Sequence, residues 1–236
     1  MGDITFRFNL DKLIHSIALF WERGIHDLTK LKAAKLLYFA DKKHLLEHGT
    51  PILGDIYWCM DYGPVPSFAM NEMSEALSRS EVSKDLGSDY NSMCKVLRVK
   101  RSWLSPYPRF EAKVPFNAGV FAQSEIDALR CIAEEYGART ARQLVDLTHQ
   151  DRTWIIANQC RTPGGRAPIS YELFFADAPE SSSRYLARLK ADFMGEVIPL
   201  NSDKEYSGFA ASLLSPEFET DFELDSDHAR KRAIAR

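Results

Sequence analysis

The residues with the most chemical promise stand together at His44-Leu45-Leu46-Glu47-His48. Histidines four apart share one face of a helix, and a glutamate between them could serve as general base beside a zinc ion. The local context opposes that chemistry. Gly49 follows at once, so His48 falls in a fraying last turn. A histidine there is favourable against the helix dipole without any metal. No glutamate cluster on a clear downstream helix offers a third ligand. Cys59, Cys94, Cys131 and Cys160 are scattered without a C-x-x-C pair, which implies neither a zinc site nor a disulfide framework. Gly164-Gly165 lacks the following Lys-Ser/Thr of a phosphate loop, and no G-x-S-x-G is present. The expectation is a protein that is not an enzyme, with no catalytic residue, metal or cofactor.

Charge narrows the partners. The chain has 236 residues and a formal net charge of −3, which argues against a protein built to coat nucleic acid. No apolar run approaches the length of a membrane span, and the opening MGDITFRFNLDK lacks a signal-peptide core, so a cytoplasmic protein without a membrane partner is expected. SEIDALRCIAEEYGARTARQLVDLTHQ reads as two capped helices about a glycine turn, the outline of a helix-turn-helix. Its arginines are matched by acids, and phosphate neutralisation needs a net basic face. A DNA-binding regulator is therefore the alternative reading, not the favoured one. Two basic stretches remain, Lys30 to Lys43 and Lys95 to Lys113. Either is a solvated face, attracts an acidic partner surface, or attracts the acidic C-terminal run of the same chain. Trp58, Tyr62, Trp103 and Tyr107 are the aromatic side chains that could anchor such an interface.

The stretch from Leu28 to Ser67 must position most of these residues. Thr29 is placed to cap a helix whose apolar flank, through Leu31, Ala34, Leu37 and Ala40, is too wide for a surface element. Gly49 in the left-handed conformation would end it, and Pro51 would prevent a restart. Ile56 to Tyr62 has the β-favouring composition of a strand, and Gly63-Pro64-Val65 reads as a turn. Around it the spacing predicts helices over 9–23, 66–79, 124–136 and 140–147, and a further helix over 184–194. Residues 80–92 read as a loop. Lys95 to Arg101 and Arg109 to Phe116 alternate as an antiparallel pair joined through Pro106 and Pro108, with Ile56 to Tyr62 as its third strand. The fold class is α+β, a mainly helical domain with a small antiparallel sheet of about three strands. TPGGRAP, from Thr162, reads as a linker or turn, and the chain ends in an acidic run through Glu217 to Asp227 followed by Arg230 to Arg236.

Three pieces of this sequence, in order and at the right spacing, resemble one family. They are Lys35-Leu36-Leu37-Tyr38-Phe39-Ala40-Asp41, then Gly49 to Tyr57 with Pro51, Gly54 and Asp55, then Tyr62-Gly63-Pro64-Val65. They resemble the Panacea-type antitoxin domain of SocA-like antitoxins and phage-associated proteins, with Ala34 standing where the family usually has glutamine. The likeness continues through SEIDAL and LVDLTHQDRTW, so it spans roughly residues 9–160. It implies a domain over 1–160 and a C-terminal extension over 161–236, partly helical and toxin-specific.

The resemblance also implies a function. An antitoxin of this kind neutralises a cognate protein toxin, encoded by a neighbouring gene, through direct binding. SocA-like members also act as adaptors that deliver the toxin to a ClpXP-type protease. The motif and partner-binding candidates are Lys35, Leu36, Leu37, Tyr38, Asp41, Pro51, Gly54, Asp55, Tyr57, Trp58, Tyr62, Gly63, Pro64, Val65, Trp103 and His149.

Overall fold

A computed structural model describes residues 4–82, 92–103 and 105–195. The acidic run at 217–227, the basic residues after it and most of the expected loop at 80–92 lie outside the described residues. The architecture is α+β and mainly helical, with a three-stranded and a two-stranded antiparallel sheet.

Two helices open the chain. Helix α1 (Leu10–Glu22) starts where Asn9 accepts from the Lys12 N–H, and it buries Leu13, Ile14, Ile17 and Phe20. Helix α2 (Lys30–His48) starts on Thr29, whose hydroxyl accepts from the Lys32 N–H, and stops at Gly49 with φ +80. Its interior is buried from Lys32 to Leu45 with few breaks, so it forms the central rod that the other elements cover. Strands β1 (Tyr57–Met60) and β2 (Gly63–Pro66) pair as a tight hairpin. Gly63-Pro64-Val65 is therefore not the turn but an edge strand, where proline's missing N–H does no harm.

Helix α3 (Ser67–Val82) leads to a short α4 (Ser92–Val96) and the hairpin β3 (Leu97–Ser102) and β4 (Ser105–Ala112). Pro106 and Pro108 lie within β4, and the reversal falls at Trp103, with Ser102 opposite Ser105. The hairpin is a sheet of its own, which corrects the expected third strand. Its base is fastened instead to the start of α2, by the Phe110 N–H donating to the Leu28 carbonyl at 2.8 Å and by a bridge between Thr29 and Arg109.

Helices α5 (Gln123–Tyr136), α6 (Ala141–Gln150) and α7 (Arg152–Gln159) follow. Thr140 and Gln143 form a reciprocal capping box at the start of α6. At the start of α5 only Glu125 contributes, reaching back to the Ala122 N–H, because alanine has no oxygen to reciprocate. Packing then continues past residue 160. Gly164 (φ +68) turns the chain into β5 (Ala167–Ile169), which pairs with β1 to complete the order β2-β1-β5. Tyr171 and Phe174 join Tyr38 and Tyr57 in one aromatic cluster, with ring centroids 5.2–5.6 Å apart between Tyr38 and Tyr57, Tyr38 and Phe174, Tyr57 and Phe174, and Tyr171 and Phe174. Helix α8 (Ser183–Gly195) closes this unit, which ends at Gly195, and adds Leu189 to the same core.

Gly54 shows how closely the chain passes over this core. Its φ is +69, and a β-carbon there would lie 2.6 Å from the Arg7 carbonyl oxygen. Gly54→Ala combines a disfavoured backbone with a main-chain clash, so it should lower the unfolding free energy by about 2 kcal/mol or more. Urea denaturation checks this, and an unchanged midpoint would contradict it.

Candidate functional site

The motif residues of α2 point inward in steps of three. Lys35, Tyr38 and Asp41 are all fully buried, and each fixes a different segment. Lys35 donates from Nζ to the Pro64 carbonyl at 2.8 Å and so holds the β1–β2 hairpin. A β-carbon at Gly63 would collide with this ammonium, 2.9 Å away, and with the Thr148 hydroxyl. Burial pulls the Lys35 ammonium down to about 7, against a smaller upward pull from the Cys59 thiol.

Tyr38 donates to Asp151 Oδ2 at 2.8 Å, and Lys42 meets Asp151 Oδ1 at 2.7 Å. The same Oδ1 accepts from the Thr153 N–H, so Asp151 caps α7 while it ties α7 to α2. Asp41 accepts from the Ile52 N–H at 3.0 Å, the Leu53 N–H at 2.8 Å and the Tyr57 hydroxyl at 3.0 Å. This fixes the passage after Pro51. Burial pushes its carboxyl up to about 7 despite those three donors.

Asp55 does the same for the segment that follows. It accepts from the N–H groups of Ile56, Phe68 and Ala69 at 2.7–2.8 Å, and so caps α3. Burial raises its carboxyl to about 7 as well. Its own main-chain carbonyl accepts from the Tyr171 hydroxyl at 2.7 Å. Leu36, Leu37, Pro51, Gly54, Tyr57, Gly63, Pro64 and Val65 are buried too.

Four candidates reach solvent. Trp58 is half-buried under the Arg166 guanidinium, 4.2 Å from the ring centroid. Tyr62 is half-buried at the β1–β2 turn. His149 is half-buried against Trp154, with ring centroids 4.2 Å apart, and burial followed by the Lys35 charge lowers its pKa. Trp103 lies apart from these, at the tip of the β3–β4 hairpin and 93% exposed.

The histidine pair of α2 is committed elsewhere. His44 is buried, with Nδ1 2.6 Å from the Thr50 carbonyl and Nε2 3.0 Å from the Ser124 hydroxyl. Glu47 bonds Lys43 at 2.5 Å, and His48 is exposed. Among the described residues no three His, Cys, Asp or Glu side chains converge as a metal site would require. The two helices with a helix-turn-helix outline are α5 and α6, and both pack against α2. On the outside of α6, Arg142 meets Asp146 at 3.5 Å, so this arginine adds no net charge to that face.

What this geometry builds is a scaffold in which buried polar groups hold the loops. The family model for the antitoxin SocA-like, Panacea domain matches residues 34–155, just over half of the chain. The chain belongs to the SocA-like Panacea-domain antitoxin family. No curated protein and no solved structure matches it. Membership places the Panacea chain with the antitoxins of toxin–antitoxin systems in general, and it points to a role without chemistry. No described helix is long and apolar enough to cross a membrane.

Asp151, Thr148, Tyr171 and Phe174 serve this Panacea scaffold without having been singled out from sequence. Asp151 carried a usable signal, an aspartate directly before Arg152-Thr153-Trp154. Asp41→Ala strands two buried N–H groups and a buried hydroxyl, so it should cost about 3 kcal/mol or more. Urea denaturation again reads it out, and a loss under 1 kcal/mol (roughly one ordinary hydrogen bond) would contradict it. Lys35 predicts a pH dependence. Between about pH 7 and about pH 10 the unfolded chain holds a proton on this lysine that the folded chain has released. Unfolding free energy should therefore rise with pH across that window, and Lys35→Met should remove this contribution to the rise.

Proposed function

We propose that this protein is an antitoxin that neutralises a cognate protein toxin by direct stoichiometric binding. The observation that carries the reading is the family match over residues 34–155. The disposition of the motif supports it. Twelve of the sixteen candidate residues are buried and hold the loops together, so binding belongs to side chains on the outside of the domain. Trp58, Tyr62, His149 and Trp103 are the candidates so placed. The buried ones act at a distance, by fixing the strands and turns that present these four.

Two finer features belong to the same reading. Delivery of the bound toxin to a ClpXP-type protease is the route that SocA-like adaptors take, and it would add degradation to occlusion. The segment beyond the described residues, acidic at 217–227 and interleaved with Phe218, Phe222 and Leu224, is the region we assign to individual toxin specificity. The scaffold boundary then falls after Gly195 and not at 160, since a cut at 160 would remove β5, Tyr171 and Phe174 from the core.

Co-expression with the protein encoded by the adjoining reading frame tests this. The expected result is growth rescue together with co-purification in a fixed ratio. Residues 1–195 alone should fold and purify, whereas 1–160 should not. A neighbour that is toxic yet neither bound nor rescued would overturn the reading for that partner. Salt-dependent binding to the chain's own promoter would favour the regulator instead.

A further inference from the structure

The buried motif leaves the outer face of the β3–β4 hairpin without a role. In its register Arg98 lies opposite Glu111, and Lys100 lies opposite Arg109. Side chains two apart on a strand share a face, so these four stand together. Leu97, Val99, Phe110 and Ala112 alternate with them on the other face, where Leu97 and Phe110 are buried.

The charged face is unbalanced. Glu111 accepts from Arg98 Nε at 2.7 Å and meets Lys100 Nζ at 2.9 Å, so one buried carboxylate serves two cations. Burial would raise the Glu111 carboxyl, but bonds from Lys100 and Arg98 hold it below its usual range. Among the described residues Arg109 meets no carboxylate, and its Nε is buried without an acceptor. Like charges directly opposite one another also weaken a ladder. One strand reversal away, Trp103 presents a 93% exposed indole. Each of these features disfavours the free chain. The crowded cations and the exposed indole become favourable against an anionic surface that also offers an apolar cleft, and tryptophan and arginine are among the side chains that most often dominate such contacts.

We propose that this face of the hairpin, Arg98, Lys100 and Arg109 with Trp103 at its tip, docks the toxin through an acidic patch beside a cleft that receives the indole. This assignment rests on the antitoxin reading. The hairpin suits the task because its base is fastened to α2 through Phe110 and Thr29, so the strand residues beside Arg109 need little ordering on binding. A protein partner is favoured over nucleic acid because the chain as a whole carries −3 and repels a polyanion at long range. A local patch is enough for a local acidic surface.

The test uses the full chain and the protein encoded by the adjoining reading frame. Arg109→Met removes both the like charge and the stranded donor, so the melting temperature of the free chain should hold or rise. Its affinity for the toxin should fall about tenfold or more, with a weaker dependence on salt. Trp103→Ala should leave the melting temperature unchanged and weaken binding about tenfold or more. Iodide should quench the Trp103 emission in the free chain and lose access in the complex, with Trp103→Phe identifying that signal. If Arg109→Met does not fold, Trp103→Ala and the quenching decide. Binding within about twofold of wild type for the folded variants overturns the hairpin assignment and leaves the antitoxin reading standing. A wild-type chain that neither binds nor protects overturns both. Loss of binding to a nucleic acid in these variants, with toxin binding intact, would overturn the assignment in favour of that ligand.

Discussion

Helix α2 sets the terms for everything around it because it is buried along most of its length while carrying polar side chains inward. A buried polar group without a partner costs about 1–3 kcal/mol, so every such side chain obliges some other segment to meet it. Asp41 obliges the passage at Ile52 and Leu53 together with Tyr57, Lys35 obliges the carbonyl of Pro64, and Tyr38 obliges the cap of α7. Asp55 repeats the device at the start of α3. Apolar packing alone would tolerate sliding of these loops by a residue. Directional bonds from a single rigid helix do not, and they place both strands of the β1–β2 hairpin and the start of α7 relative to one axis.

This arrangement separates holding from touching. The side chains that carry the resemblance are mostly inside, where a change disturbs the scaffold, whereas a change on an outer face leaves these buried bonds intact. Such a division fits an antitoxin-family domain that would meet its partner with surface side chains. The scaffold need only be rigid, and the residues it displays decide the partner.

Much of this was legible from local signals. Thr29, Gly49, Asn9 and Thr140 mark helix ends through bonds made within a few residues, and each does so in the structure. The apolar flank of α2 correctly announces its burial. Long-range pairing was less legible. The alternation of residues 95–113 shows a hairpin but not its neighbours, and β1 pairs instead with β5, more than a hundred residues later. Nothing in Ala167-Pro168-Ile169 advertises a strand, since it is short and contains a proline. Likewise, the inward-facing lysine and aspartates look like surface residues in composition, and only their helical spacing beside Leu36 and Leu37 hints otherwise. The HxxEH spelling was outweighed by its setting, and both nitrogens of His44 lie within hydrogen-bond distance of oxygens in the protein.

The order β2-β1-β5 leaves two edges, and both outer strands carry proline: Pro64 and Pro66 on one, Pro168 on the other. Proline offers no main-chain donor, so neither edge presents a full row of groups on which another chain could build. A protein made alongside an aggregation-prone or partly folded partner would benefit from such edges. Its small sheet resists growing into a mixed sheet with that partner, or with copies of itself, and association is left to side chains whose chemistry can discriminate.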